Sequence, residues 1–290
     1  MTLSRRRFLT ITAAALATPV IAAPLRWQGV ALGADCTLEI HAPRDVAERA
    51  LRDTRALLRR AESLFSLYDP ASELSQLNAT GHLPDPSPEM CRIIEICDQV
   101  HDATGGAFDP SVQPLWQALA KGTDVETARA LVGWTRAKQA PLRLDHGQKI
   151  TLNGVAQGFA TDMVTTALHH AGLAKALINI GEYAAIGGPF TLGIADPAQG
   201  IIAQQTLQNN AVATSSPNAT VVGSSPHILS ATGRKPRWDT VSVMADTAAM
   251  ADAASTAFCL MTKPEIKTAM STLNLHRAAL LAPDGKVHHL

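Results

Sequence analysis

Charge of either sign is scarce in this chain. Only 17% of its 290 residues are charged, and Lys+Arg and Asp+Glu stand at 25 each, for a formal net charge of zero. A nucleic-acid binder normally carries a basic face, so this balance argues against one. Aromatics are scarcer still. Four Trp, two Tyr and six Phe are too few for a platform that stacks single strands. Cysteine is limited to Cys36, Cys91, Cys97 and Cys259, at spacings that match no zinc or CxxC pattern. These four read as buried free thiols. There is no P-loop, no GxGxxG after a strand, no GxSxG and no HExxH. Beyond the N-terminus no uncharged run approaches the roughly 20 residues that span a bilayer, so stable membrane insertion is not expected. Repeats, low-complexity blocks and obvious linkers are also missing. The paired histidines His169-His170 and His288-His289 invite a metal reading, but adjacent helical residues point about 100° apart, and solvated histidines are expected.

What the chain does have is apolar content, 46% of residues. That rules out a mostly disordered chain, and the length suits one large domain or two intimate ones. Residues 1–23 read as a bacterial export signal. Ser4-Arg5-Arg6-Arg7-Phe8-Leu9 is a charged start with a twin arginine, Phe8 to Ala17 is apolar, and Pro19 breaks the run before the small residues that end at Ala23. The arginine pair points to the twin-arginine route. Residues 24–290 would then be the working domain, in the periplasm.

Val30 to His41 alternates and reads as one strand. Val46 to Leu67 has apolar residues at helical spacing over five or six turns. Pro88 to His101 and Asp124 to Val132 read as helices, Leu142 to Leu152 as a hairpin turning at Asp145-His146-Gly147, and Val155 to His170 as a helix stopped by Gly172. Short β-type runs follow at 177–180, 190–195, 201–207, 211–214 and 240–243, before a helix over 248–261 and a helix–strand ending. Helices mix with antiparallel-looking strands without a βαβ rhythm, so the fold class is α+β.

Four segments are candidates for chemistry. In Thr104-Gly105-Gly106-Ala107-Phe108-Asp109-Pro110, two glycines let backbone approach a ligand and Pro110 stiffens the exit; an ordinary turn after a helix is the plainer alternative. Leu152 to Asp162 runs from a strand end through small residues into a helix N-terminus, where free N–H groups favour anions, or where strand and helix merely pack closely. His227, on a loop ahead of Thr232-Gly233, is a candidate acid/base group. Asp252 and Thr256 are four apart and share a helix face, offering hard oxygen ligands suited to Mg²⁺; an Asp cap with a buried Thr is the alternative.

Read in order, these segments resemble the ApbE-type FAD:protein FMN transferases. The resemblance runs from about Leu32 to Met261. Its pieces are Leu67 to Asn78, Gly105 to Pro110, Leu152 to Asp162, Ala176 to Gly181, Ala213-Thr214-Ser215, His227-Ile228 and Ala251 to Thr256. It implies an α+β ApbE-like fold over 24–290. It also implies an enzyme that uses FAD as substrate and Mg²⁺ as cofactor, transferring FMN through a phosphoester to a Thr or Ser hydroxyl of a target protein and releasing AMP. The implied partner is a membrane-bound redox protein with a periplasmic domain. By the same resemblance, Asp252, Thr256 and the Gly154 carbonyl hold the metal. Leu32, Tyr68, Ala107, Phe108, Asp109, Thr151, Gln157, Ile228 and Ser255 form the FAD site, and His227 activates the acceptor hydroxyl. Asp162 supports the site from its helix. The chain departs from the family pattern at Thr151 (usually Asp), Gln157 (often Lys), Glu182 (often Gly), Ser216 (usually Gly) and Ser230-Ala231 (usually Asp-Pro). Two other readings stay open: an FAD pyrophosphatase with water as acceptor, and a periplasmic flavin-binding or delivery protein without turnover.

Overall fold

A computed structural model describes residues 23–134 and 141–290. The export-signal assignment therefore lies, but for Ala23, outside the described residues. The chain runs β1 (Leu25–Ala31), β2 (Ala34–Ile40), α1 (Arg44–Phe65), α2 (Glu73–Thr80), β3 (His82–Leu83), α3 (Pro88–Ala103), α4 (Gln113–Lys121), α5 (Val125–Arg129) and β4 (Leu142–Arg143). It continues through α6 (Ala156–His170), β5 (Ala176–Ile180), β6 (Tyr183–Ile186), β7 (Phe190–Asp196), β8 (Gly200–Leu207), β9 (Ala211–Ser215), β10 (Val221–Val222) and β11 (Ser225–Pro226). It closes with β12 (Thr240–Ala245), α7 (Ala248–Phe258), α8 (Lys263–Thr272), β13 (Arg277–Leu281) and β14 (Val287–His289).

The principal sheet has the order β1-β2-β5-β6-β9-β12-β13-β14, and every neighbouring pair is antiparallel. One face meets the helices. Cys36, Leu38 and Ile40 of β2 and Ala176, Ile178 and Ile180 of β5 are buried at the period of two that a strand imposes. They join one core with Ala47, Ala50, Leu58, Ala61 and Leu64 of α1, which with the buried Thr54 recur every three or four residues and give the helix one buried stripe. The opposite face is covered by the β7–β8 hairpin, where Leu207 packs with Ala185, Val212 and Met244. A strand covered on both faces has no solvent-exposed side, and all six residues of β12 are buried. Among the described residues no helix is long and apolar enough to cross a membrane.

Three expectations need correction. Val30 to His41 is two strands, because Leu32 (φ 50°) and Gly33 (φ 75°) form a two-residue turn of the kind that matches strand twist. Leu142 to Leu152 is no hairpin. Leu142–Arg143 pairs with His82–Leu83, and the backbone of Ile150 is held by the Asn78 side chain, which donates to its carbonyl (2.8 Å) and accepts its N–H (2.7 Å). For the same reason the segment entering α6 is loop rather than a strand end. Of the four free cysteines, Cys91 is half-buried and the others are buried. His169 and His170 are exposed as expected, whereas His288 is half-buried with Nδ1 2.9 Å from Lys263 Nζ.

The crossing of α6 and α7 positions the site. A Cβ on Gly158 would lie 2.4 Å from the Ala248 carbonyl oxygen, so only glycine allows this approach. Two carboxylates then staple the helices. Asp162 of α6 accepts the N–H groups of Ala248 (2.7 Å) and Ala249 (2.8 Å) at the start of α7, satisfying donors a helix end leaves free. Asp252 of α7 accepts the Gly158 N–H (3.0 Å). Gly158→Ala should cost about 2–3 kcal/mol through overpacking against backbone. A urea midpoint equal to that of the unsubstituted protein would show that the crossing can yield.

Candidate metal and nucleotide site

A cleft of about 320 Å³ opens at the end of this crossing, within the range of small-molecule sites. Its walls are the turn after α3 (Ala107, Phe108, Asp109), the loop into α6 (Thr151, Asn153, Gly154) with Gln157, the end of β9 (Thr214, Ser215, Ser216), and the loop His227-Ile228-Leu229. Asp252 and Thr256 of α7 and Glu182 of the β5–β6 turn complete it.

Each wall is fixed by local chemistry. Gly105 (φ 57°) and Gly106 (φ 78°) let the chain reverse after α3. The turn is then held by Thr104 Oγ1, which accepts the Phe108 N–H (3.2 Å), and by His101 Nδ1, which donates to the Phe108 carbonyl (2.8 Å). Asp109 caps the short 3₁₀ turn Pro110–Val112 by accepting from Ser111 N (2.8 Å) and Oγ (2.6 Å). The loop into α6 is tied down where Thr151 N donates to the Pro110 carbonyl (2.8 Å). A Cβ on Gly154 would lie 3.0 Å from Thr256 Oγ1, so this backbone stands directly against that hydroxyl. On the far wall, His227 Nδ1 lies 2.9 Å from the Pro217 carbonyl and 3.2 Å from that of Thr220. Carbonyls only accept, so Nδ1 carries the proton and the neutral ring keeps its lone pair on Nε2. The loop after it is clamped by Arg129, whose Nη1 donates to the carbonyls of Ser230 and Ala231, both at 3.3 Å.

The electrostatics are one-sided. Asp109, Glu182 and Asp252 line the cleft, and among the described residues no Lys or Arg does. Burial pushes the Asp252 carboxyl up to about 7, with the nearby Asp162 adding to the rise against the Gly158 hydrogen bond. Burial raises Glu182 well above the usual carboxylate range, and Asp252 adds to it. Asp162 is raised to about 6 by burial, despite its two backbone hydrogen bonds.

The structure brings together Ala107, Phe108, Asp109, Thr151, Gly154, Gln157, His227, Ile228, Asp252 and Thr256. Three expected site residues stand outside the cleft. Leu32 is joined to it only through its carbonyl, which accepts from Gln157 Nε2 (3.3 Å). Ser255 is buried behind the wall, 2.7 Å from Ser215 Oγ and donating to the Asp252 carbonyl. Tyr68 is 87% exposed in a separate groove with Pro70 and Asn78, because Ser66 Oγ fixes its turn by accepting the Tyr68 and Asp69 N–H groups. Asp252 lies within α7 rather than capping it, since Thr247 is the N-cap. Sequence reasoning missed Trp116, Asn153 and Glu182 as lining residues, and His101 and Arg129 as supports. The signals for Glu182 were its departure from the family pattern and its place as an acid between two apolar runs.

Fold and cleft together define an α+β protein whose site combines carboxylates, hydroxyls and exposed backbone, a donor set of the kind that suits a hard cation. The ApbE family model matches residues 32–281, and the chain belongs to that family. A curated relative, FAD:protein FMN transferase of Klebsiella pneumoniae (strain 342), is 27% identical over 178 residues. That match spans 55% of this chain and 56% of the relative's own length. Among solved structures, the apo form of Pseudomonas stutzeri flavinyl transferase ApbE superposes with a TM-score of 0.79 at 20% identity, over 92% of this chain and 94% of that one. The ApbE protein of Thermotoga maritima gives 0.79 at 23% identity, over 91% and 96%. Flavin transferase ApbE from Vibrio cholerae gives 0.75 at 19%, over 92% and 96%. At these identities the likeness shows the fold.

Proposed function

We propose that this protein transfers the FMN half of FAD to a Thr or Ser hydroxyl of a target protein, with Mg²⁺ as cofactor and AMP as the leaving product. The observation that carries the reading is the cleft's charge. Among the described residues no Lys or Arg lines the space that Asp109, Glu182 and Asp252 share, and a pyrophosphate does not settle among those carboxylates unless a cation accompanies it. The donors present fit such a cation: the Asp252 carboxylate, Thr256 Oγ1, and the Gly154 backbone held against that hydroxyl. When bound, Mg²⁺ would offset phosphate charge and polarise the phosphorus centre.

The chain's own residues supply the rest. Ala107, Phe108, Asp109, Thr151, Gln157 and Ile228 would hold FAD, with Leu32, Tyr68 and Ser255 as outer supports of that site. His227 takes the proton of the acceptor hydroxyl on Nε2, the nitrogen its Nδ1 hydrogen bonds leave free. The hydroxyl oxygen forms the new bond to the FMN phosphorus as the pyrophosphate bridge breaks, and AMP departs with the bridging electron pair. Placing acceptor and phosphorus in line is the larger part of such catalysis. The arginine-rich leader supports a periplasmic setting, reached by the twin-arginine route, and a membrane-bound redox protein facing the periplasm as target.

Intact mass of an acceptor domain incubated with the protein and FAD tests this. A gain of one FMN residue, with Mg²⁺ and not with chelator, is the expected result. Free FMN and AMP beside an unmodified acceptor would turn the reading to an FAD pyrophosphatase. Bound but intact FAD would turn it to a flavin carrier.

A further inference from the structure

Glu182 stands out because nothing in the proposed chemistry uses it, yet the fold holds it in the same cleft as Asp252. Its backbone carbonyl accepts from Thr161 Oγ1 (3.0 Å) and from the Ile180 N–H (3.2 Å), which fixes the turn that presents it. Its Oε2 accepts the Thr214 N–H (3.0 Å). Asp252 is held the same way, by one oxygen on one backbone N–H. Among the described residues, the second oxygen of each carboxylate has no hydrogen-bond partner, and neither carboxylate has a Lys, Arg or His within ion-pair distance. The two residues are 8% and 4% exposed. Buried carboxylates are ordinarily paired with a cation or bound to a metal. Here the remaining cleft donors near Asp252 are hydroxyls and backbone. Among the described residues no group of three or more His, Cys, Asp or Glu side chains is set to hold a metal, so a cation here would rest on these two carboxylates with hydroxyl and backbone oxygens.

We propose that Glu182 is a ligand of the divalent cation, which is thus held by two carboxylates, Glu182 and Asp252, with Thr256 Oγ1 and the Gly154 backbone. This rests on the reading above that a hard divalent cation occupies the cleft. Two carboxylates balance the charge of one divalent ion, so the site should load before any nucleotide arrives. A site with a single carboxylate would instead depend on the pyrophosphate to complete it.

Mn²⁺, a hard oxygen-seeking stand-in, makes the test independent of catalysis. The metal-free full chain is titrated with Mn²⁺ in the absence of FAD, and free Mn²⁺ is read by electron paramagnetic resonance. The expected result is one bound ion per chain in the unsubstituted protein and at least tenfold weaker binding in Glu182→Gln. The amide oxygen of that variant can still accept the Thr214 N–H, and Glu182→Asp should recover part of the affinity. As a measure that needs no variant, infrared difference spectra of protein labelled with ¹³C-glutamate should show a carboxylate band moving on Mn²⁺ addition. Equal Mn²⁺ affinity in Glu182→Gln, or an unmoved glutamate band with Mn²⁺ bound, would overturn the role of Glu182 and leave the cation site on Asp252 intact. No Mn²⁺ binding by the unsubstituted protein, with or without FAD, would overturn both.

Discussion

Asp252→Asn should lower cation-dependent FMN transfer by about a thousandfold, the scale of several kcal/mol of charge stabilisation lost with the metal. The same change should leave the metal-free protein more stable at pH 8. Both effects have one cause. Asp252 is a buried carboxylate raised to about 7 by desolvation, with no basic partner among the described residues. A carboxyl whose folded value exceeds its unfolded value contributes stability fully present below the unfolded value, near 4, and lost as pH rises through about 7. At pH 8 the ionised group therefore costs the metal-free fold on the order of 4 kcal/mol. Asparagine removes the charge while its amide oxygen can still accept the Gly158 N–H that ties α7 to α6. The cation must also displace the Asp252 proton below about pH 7, and the raised Glu182 carboxyl adds to this competition, so Mn²⁺ affinity of the unsubstituted protein should weaken by at least about tenfold per pH unit there. Urea unfolding of both proteins at pH 5 and pH 8, with chelator, checks the stability claim. A variant less stable than the parent at pH 8 would mean that another group compensates the Asp252 charge.

Much of this site was legible because its key pair is local. Asp252 and Thr256 lie on one helix, and a four-residue spacing carries through to space whatever the rest of the chain does. Asp162 was likewise legible as a support, since a helical acid beside small residues suits capping a neighbouring helix. The remote contributions were not legible. Glu182 enters the cleft because the β5–β6 turn abuts the end of β9, and Arg129 reaches Ser230 across about a hundred residues of sequence. Tyr68 is the opposite case. Its segment reads well against the family pattern, but the Ser66 hydroxyl fixes the turn with the ring outside the cleft. The β1–β2 turn was hidden because Leu32-Gly33 carries only one of the residues that usually announce left-handed backbone. The period-2 alternation continues through it, so one strand and a tight hairpin look alike.

His227→Gln should reduce FMN transfer by a factor of about 10²–10⁴, the usual worth of a positioned base, while Mn²⁺ and FAD bind as before. The geometry separates His227 from the cation site. It stands on the loop after β11, on a wall built from Pro217, Thr220 and the Arg129 clamp rather than from α6 and α7. Two backbone carbonyls hold its Nδ1 proton, so the ring cannot turn over without losing both, and Nε2 is left as the acceptor in the neutral form. Glutamine fills similar space and can still donate an N–H to those carbonyls, but its remaining amide oxygen is a negligible base near neutral pH. The expected pattern is thus complementary to that of Asp252→Asn: one variant binds cation and fails at proton transfer, and the other fails at cation binding. Single-turnover transfer to an acceptor domain, measured beside Mn²⁺ titration for both variants, distinguishes them. If His227→Gln retains more than about a tenth of the rate, a loss far below the range for a general base, the proton leaves the acceptor hydroxyl by another route. The Nδ1 contacts would then serve only to shape the loop that closes the cleft.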